Sequence, residues 1–251
     1  MNQAITITFG DCAENHAGMQ IVGDMASRGL SPDELKISKN KLEQAGYECE
    51  MICLNDAIEG DGDPAFVLII RNGVKAFIED DDLYSEMVEL DVDTKAFMRG
   101  RVVNKRARYN LVYGPEAQEP NYENKMGRII PYSEIPIFNK LRKSLPSFFG
   151  EISSDLWGEG NYYYDPKKCG IGFHGDTERR IVIAVRLGAS IPLHYQWFER
   201  HKPIGERVVI NLENGDMYAM SEKAVGYDWK KSSRKTLRHS AGCRKYTTIK
   251  K

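Results

Sequence analysis

From residue 159 to its end the chain is cut into short strand-like runs, separated by turn residues and with very little helix. The runs cover residues 161–164, 170–174, 180–187, 207–211, 216–220, 236–239 and 245–249. Short strands at regular spacing are not stable singly, so they must pair into sheets whose apolar faces meet. This pattern predicts a β-sandwich or jelly roll.

The first part of the chain has a different texture. Residues 5–9 alternate and read as a strand, and residues 13–28 carry apolar positions at helical spacing, among them Met19, Ile21, Val22 and Met25. Ser31-Pro32-Asp33-Glu34 is a strong helix start: Ser31 can cap, Pro32 suits the first turn, and Glu34 can reach back to the cap amide. That helix should run to about Ala45 and stop at Gly46. Strands are expected at 47–54 and 66–70 and in 101–113, and helices near 81–90 and 133–145. The expected organisation is an N-terminal α/β extension over 1–80 and a mainly β domain over 81–251.

Composition narrows the function classes. No apolar run is long enough to cross a bilayer, and no basic-then-apolar leader opens the chain. Five scattered cysteines do not form a disulfide framework, which fits a reducing compartment: cytoplasm, or nucleus if the source is eukaryotic or viral. The net charge of −1 argues against a protein that binds chiefly by neutralising many phosphates. Charge is unevenly placed, with an acidic stretch at 79–94 and a basic one at 99–108, so a local nucleic-acid contact stays open.

The chemistry-bearing motif is Gly172-Phe173-His174-Gly175-Asp176. Residues two apart on a strand share a face, so His174 and Asp176 can hold one ion. Iron(II) oxygenases bind their metal through two histidines and one carboxylate and leave the remaining positions open. A third ligand should lie on a strand well downstream. Of the five histidines, His239 in Leu237-Arg238-His239-Ser240 is placed for that role, whereas His194 and His201 lie in a segment better suited to the substrate side.

These residues carry a resemblance. Asn161-Tyr162-Tyr163, His174-Gly175-Asp176, Ile183-Ala184-Val185-Arg186-Leu187-Gly188, Gly215-Asp216-Met217-Tyr218 and the late His239 together resemble the AlkB-like branch of the 2-oxoglutarate- and iron(II)-dependent dioxygenases, over about residues 100–250. The resemblance implies a double-stranded β-helix (jelly-roll) core, with iron(II) on His174, Asp176 and His239. It also implies 2-oxoglutarate and O2 as co-substrates, with Asn161 and Tyr163 hydrogen-bonded to 2-oxoglutarate. Asp216 would be structural.

The chain departs from that family at its C-terminus, where an arginine-rich last strand is missing. A buried carboxylate needs a cationic partner. Arg186, on the face shared with Ala184, is the first candidate; Lys250 and Arg244 are the others. Residues that could line the substrate side are Arg101, Arg108, Asn110, Tyr113, Tyr195, Trp197 and Glu199, and Tyr195 with Trp197 could stack a base. The resemblance favours oxidation of a modified nucleobase, and the charge balance favours a small metabolite, amino acid or peptide residue. A non-catalytic β-sandwich binding module is the reading that remains if no metal is held.

Overall fold

A computed structural model describes residues 2–78 and 82–249. Within them, α1 (Pro32–Gln44) forms where the sequence signals it, closed by a capping box. The Ser31 hydroxyl accepts from the Glu34 amide at 3.2 Å, and the Glu34 carboxylate accepts from the Ser31 amide at 2.8 Å. The other helices are short: α2 (Leu83–Val88), α3 (Pro136–Ser144), α4 (Pro146–Phe149), α5 (Glu222–Val225) and α6 (Arg244–Thr247).

The strands are β1 (Ala4–Gly10), β2 (Cys12–Glu14), β3 (Ile21–Gly23), β4 (Cys49–Cys53), β5 (Phe66–Ile70), β6 (Lys95–Met98), β7 (Arg101–Asn104) and β8 (Tyr109–Gly114). They continue as β9 (Ile129–Pro131), β10 (Trp157–Tyr163), β11 (Gly170–His174), β12 (Val182–Gly188), β13 (Leu193–Glu199), β14 (Lys202–Ile210), β15 (Met217–Met220) and β16 (Thr236–Gly242). Eight of them form one sheet in the order β4-β5-β15-β12-β1-β10-β8-β9, antiparallel except for β8–β9. Four form a second, antiparallel sheet in the order β11-β16-β13-β14. The protein is thus mainly β, as the short strand-like runs predict.

Each face of the large sheet has its own partner. Ile5, Ile7 and Phe9 of β1 and Ile183, Val185 and Leu187 of β12 pack with Leu35 and Leu42 of α1 and with Phe138 and Leu141 of α3. Val182 and Ala184 of β12 and Tyr218 and Met220 of β15 face the other way. They pack with Leu193, Tyr195 and Trp197 of β13 and Leu237 of β16, so the two sheets meet face to face. Burial of both faces of β12 explains its unbroken apolar character, relieved only by Arg186.

Three expectations need correction. Residues 1–80 are not an appended extension: β1 lies between β10 and β12 inside the large sheet, and β4 and β5 extend its edge. The expected border at 80/81 itself lies outside the described residues. Residues 13–28 hold no helix. Cys12 pairs with Gly23 and Glu14 with Ile21 in a β2–β3 hairpin, whose turn is closed by the Gly18 amide donating to the Glu14 carboxylate at 2.7 Å. The run 245–249 is not a strand. Gly242, at φ 107°, ends β16, and the chain coils into α6 with Tyr246 packed over Gly170. Among the described residues no helix is long and apolar enough to cross a membrane.

Candidate metal centre and cavity

β11 and β16 place His174 directly opposite His239, with ring centroids 4.5 Å apart. Asp176 lies beyond the end of β11, not on it. Its place is set by the turn: the Asp176 amide donates to the Val225 carbonyl at 3.1 Å, at the end of α5. Gly175 makes this possible, because a Cβ there would stand 2.0 Å from the Gly226 carbonyl oxygen. The pair therefore converges through a tight loop, where strand alternation was the expected cause.

The three side chains offer ligand atoms that all lie within 4.8 Å of one another. Asp176 Oδ1 is 3.4 Å from His174 Nε2 and 3.5 Å from His239 Nε2. His174 Nδ1 donates to the Gly172 carbonyl at 2.8 Å, so the lone pair of a neutral ring sits on Nε2, facing the aspartate. Burial, and then repulsion from His239, pushes the His174 pKa down to about 4. Burial alone would raise the Asp176 carboxyl. The neighbouring His239, Arg179 and His174 outweigh it and hold the group well below the usual carboxylate range. Two imidazole nitrogens and one ionised carboxylate on one side of a cavity fit a hexacoordinate iron(II)-type ion with open positions.

The three residues open on a cavity of about 290 Å3 between the sheets. Its floor is the inward face of the large sheet. Thr6 is opposite Asn161 on one side and Arg186 on the other, and Thr8 is likewise between Glu159 and Ala184. Arg186 is 1% exposed, and its Nε and Nη1 have no hydrogen-bond partner within the protein. Its guanidinium lies 5.9 Å from the centre of the Tyr163 ring, and both residues line the cavity with Tyr218. A buried guanidinium left unpaired is costly, so the chemistry of this end of the cavity suits an anion.

The remaining expected residues divide. Asn161 and Tyr163 line the cavity, and so does Arg108. The Asn161 amide is already engaged: its oxygen accepts from Arg108 Nε and from Asn110 Nδ2, and its nitrogen donates to Glu159 Oε1 at 3.1 Å. Asn110 is therefore a buried support behind the wall. Arg244 is exposed on α6, away from the cavity, and Lys250 lies outside the described residues. Arg101 and Glu199 are exposed at strand ends and do not line it.

The aromatic candidates are core. Tyr113 packs among the helices and its hydroxyl meets that of Tyr162 at 2.7 Å. Trp197 fills the space between the sheets and donates to the Leu54 carbonyl at 2.7 Å. Tyr195, opposite His239 in the ladder, is a buried backing 5.8 Å from that ring. Base stacking by Tyr195 and Trp197 is excluded by their burial. The basic stretch 99–108 does not form one face either, since Lys105 is buried on Asn15 while Arg108 turns into the cavity.

Several cavity residues were not anticipated: Thr6, Thr8, Glu14, His16, Glu159, Glu178 and Arg179. Two signals for them exist in the chain. Ile5-Thr6-Ile7-Thr8-Phe9 already places its threonines on one face, and Glu159 shares the face of Asn161. Glu14 is raised to about 7, first by burial and then by the charges of Glu178 and Glu159. Burial, with the charge of Asp176, raises Glu178 also.

No family model matches the sequence. An uncharacterized protein of Acanthamoeba polyphaga mimivirus is 48% identical over 250 residues, spanning 98% of each chain.

Proposed function

We propose that this chain, which belongs to the same family as the mimivirus protein, is an iron(II)- and 2-oxoglutarate-dependent dioxygenase built on a double-stranded β-helix. One observation carries the reading. The cavity that receives His174, Asp176 and His239 also receives Arg186, a buried guanidinium with two unpartnered nitrogens. A metal-ligand set and an anion receptor in one cavity are what a chelating dicarboxylate requires.

In this reading His174, Asp176 and His239 hold the iron by Nε2, Oδ1 and Nε2. Arg186 receives the far carboxylate of 2-oxoglutarate, assisted by Tyr163 and Tyr218, which line the same space. Asn161, fixed by Arg108 and Asn110, gives that wall a rigid polar surface. Thr6 has a buried hydroxyl without a partner, and it stands between Asn161 and Arg186, ready to donate to a bound carboxylate. With iron(II) and 2-oxoglutarate bound and O2 as the oxidant, the centre would supply conversion of 2-oxoglutarate to succinate and carbon dioxide, coupled to hydroxylation of an unactivated C–H bond.

The substrate that best suits a cavity of about 290 Å3 is a small molecule or a single amino-acid side chain, because Tyr195 and Trp197 are core and offer no stacking surface. A modified nucleobase is the second reading. It is favoured by Trp229, which lines the cavity edge with Arg238 and Lys230 against its ring at 5.0 and 5.6 Å. Release of succinate in air from protein, iron(II) and 2-oxoglutarate tests the class; the native chain should produce it slowly and Asp176→Ala should not. Acceleration by oligonucleotide would favour the second substrate class. A native chain that releases none would remove the proposal.

A further inference from the structure

We propose that Arg179 is a positioning residue that holds Asp176 to a single metal-facing oxygen, an inference that rests on the metal-site reading above. The two carboxylate oxygens of Asp176 have different neighbours. Oδ1 faces both histidine Nε2 atoms, at 3.4 and 3.5 Å, whereas Oδ2 is 3.6 Å from Arg179 Nε. Among the described residues Arg179 is the one arginine or lysine in ion-pair contact with that carboxylate.

The guanidinium is not free to drift. It is 3% exposed and clamped from two further sides, by Glu159 of β10 and by Glu178, whose Oε1 is 3.0 Å from Nη2. Its stem runs against Gly10, where a Cβ would stand 3.2 Å from Arg179 Cδ. Glu159 in turn accepts from Asn161. The cavity wall is thus tied through Glu159 and Arg179 to the metal-facing aspartate.

The consequence is electrostatic. A dication attracts both oxygens of an adjacent carboxylate, and a bidentate aspartate would occupy a position that a chelating co-substrate needs. A fixed guanidinium competes for Oδ2 and leaves Oδ1 as the sole donor. Three carboxylates share this one cation, so its outright removal endangers the fold. Arg179→Lys, which keeps the charge but not the fork, and Glu159→Gln, which loosens the clamp, are therefore made beside Arg179→Gln.

The experiment is a titration of the full chain with cobalt(II), read by visible absorption, with circular dichroism to establish folding. Native protein should bind cobalt(II). Arg179→Gln should bind it severalfold more tightly, because a competing cation is gone and Oδ2 is freed to coordinate. Its cobalt band should lose intensity, as coordination number rises on release of Oδ2. Arg179→Lys and Glu159→Gln should shift the same way to a smaller extent, and they decide the matter if Arg179→Gln does not fold. Native affinity and an unchanged band in folded Arg179→Lys and Glu159→Gln would overturn the role of Arg179 alone. A native chain that binds no cobalt(II) would overturn the metal-site reading and this inference with it.

Discussion

His174 and His239 stand opposite each other across the β11–β16 ladder, and Asp176 reaches the same point from the loop that follows β11. The site is therefore built from two strands and a turn, and each part has its own way of failing.

The turn fails through Gly175. Gly175→Ala would drive a Cβ into the Gly226 carbonyl, 2.0 Å away, in contact with backbone that cannot yield as a side chain would. The expected cost is about 1–3 kcal/mol of stability, with loss of metal affinity as Asp176 is displaced. Thermal unfolding and a cobalt(II) titration measure the two effects.

The proposed anion receptor fails through Arg186. Arg186→Met should weaken 2-oxoglutarate binding roughly 10- to 100-fold, the worth of hydrogen bonds to a charged group. Metal affinity should stay native. Without ligand the variant should melt at a higher temperature than the native chain, because a buried unpaired charge has been replaced by an apolar side chain. Melting curves with and without 2-oxoglutarate separate the two: the same ligand concentration should raise the variant's midpoint by less than the native one.

Away from the site, the capping box of α1 gives a stability test. Ser31→Ala removes the acceptor for the Glu34 amide and should cost about 1 kcal/mol.

Glu34 gives a pH test. Its carboxyl is lowered from 4.5 to about 2, chiefly by the hydrogen bond from Arg28. A folded pKa below the unfolded one means the unfolded chain binds the proton more readily, so the contribution is whole above pH 4.5 and is lost as pH falls through about 2. The stability gap between native chain and Glu34→Gln should close over that window. A gap independent of pH would show that Arg28 does not act on Glu34.

What could be read in the sequence was local or periodic. Ser31-Pro32-Asp33-Glu34 announces its helix because every partner lies within one turn. Arg186 could be placed on the inward face because parity along β12 is set by the pleat. His174, Asp176 and His239 could be grouped by residue type and order. What could not be read depends on contacts far along the chain. Nothing in residues 4–10 says that this strand will sit between β10 and β12, over 140 residues away, or that its threonines will floor the cavity. Tyr113, Tyr195 and Trp197 misled because an aromatic on an alternating strand looks the same whether the face it shares becomes a cavity or a core. The β2–β3 hairpin misled because its apolar spacing across a glycine turn mimics a helical period.

The central claim is that one cavity holds both a His-Asp-His metal site and a 2-oxoglutarate receptor. The most direct measurement is the visible spectrum of the native protein with iron(II) and 2-oxoglutarate under anaerobic conditions. The account predicts a metal-to-ligand charge-transfer band that is absent in His174→Ala and much weakened in Arg186→Ala at the same 2-oxoglutarate concentration. No band in the native protein, or a native band that persists in His174→Ala, would contradict it.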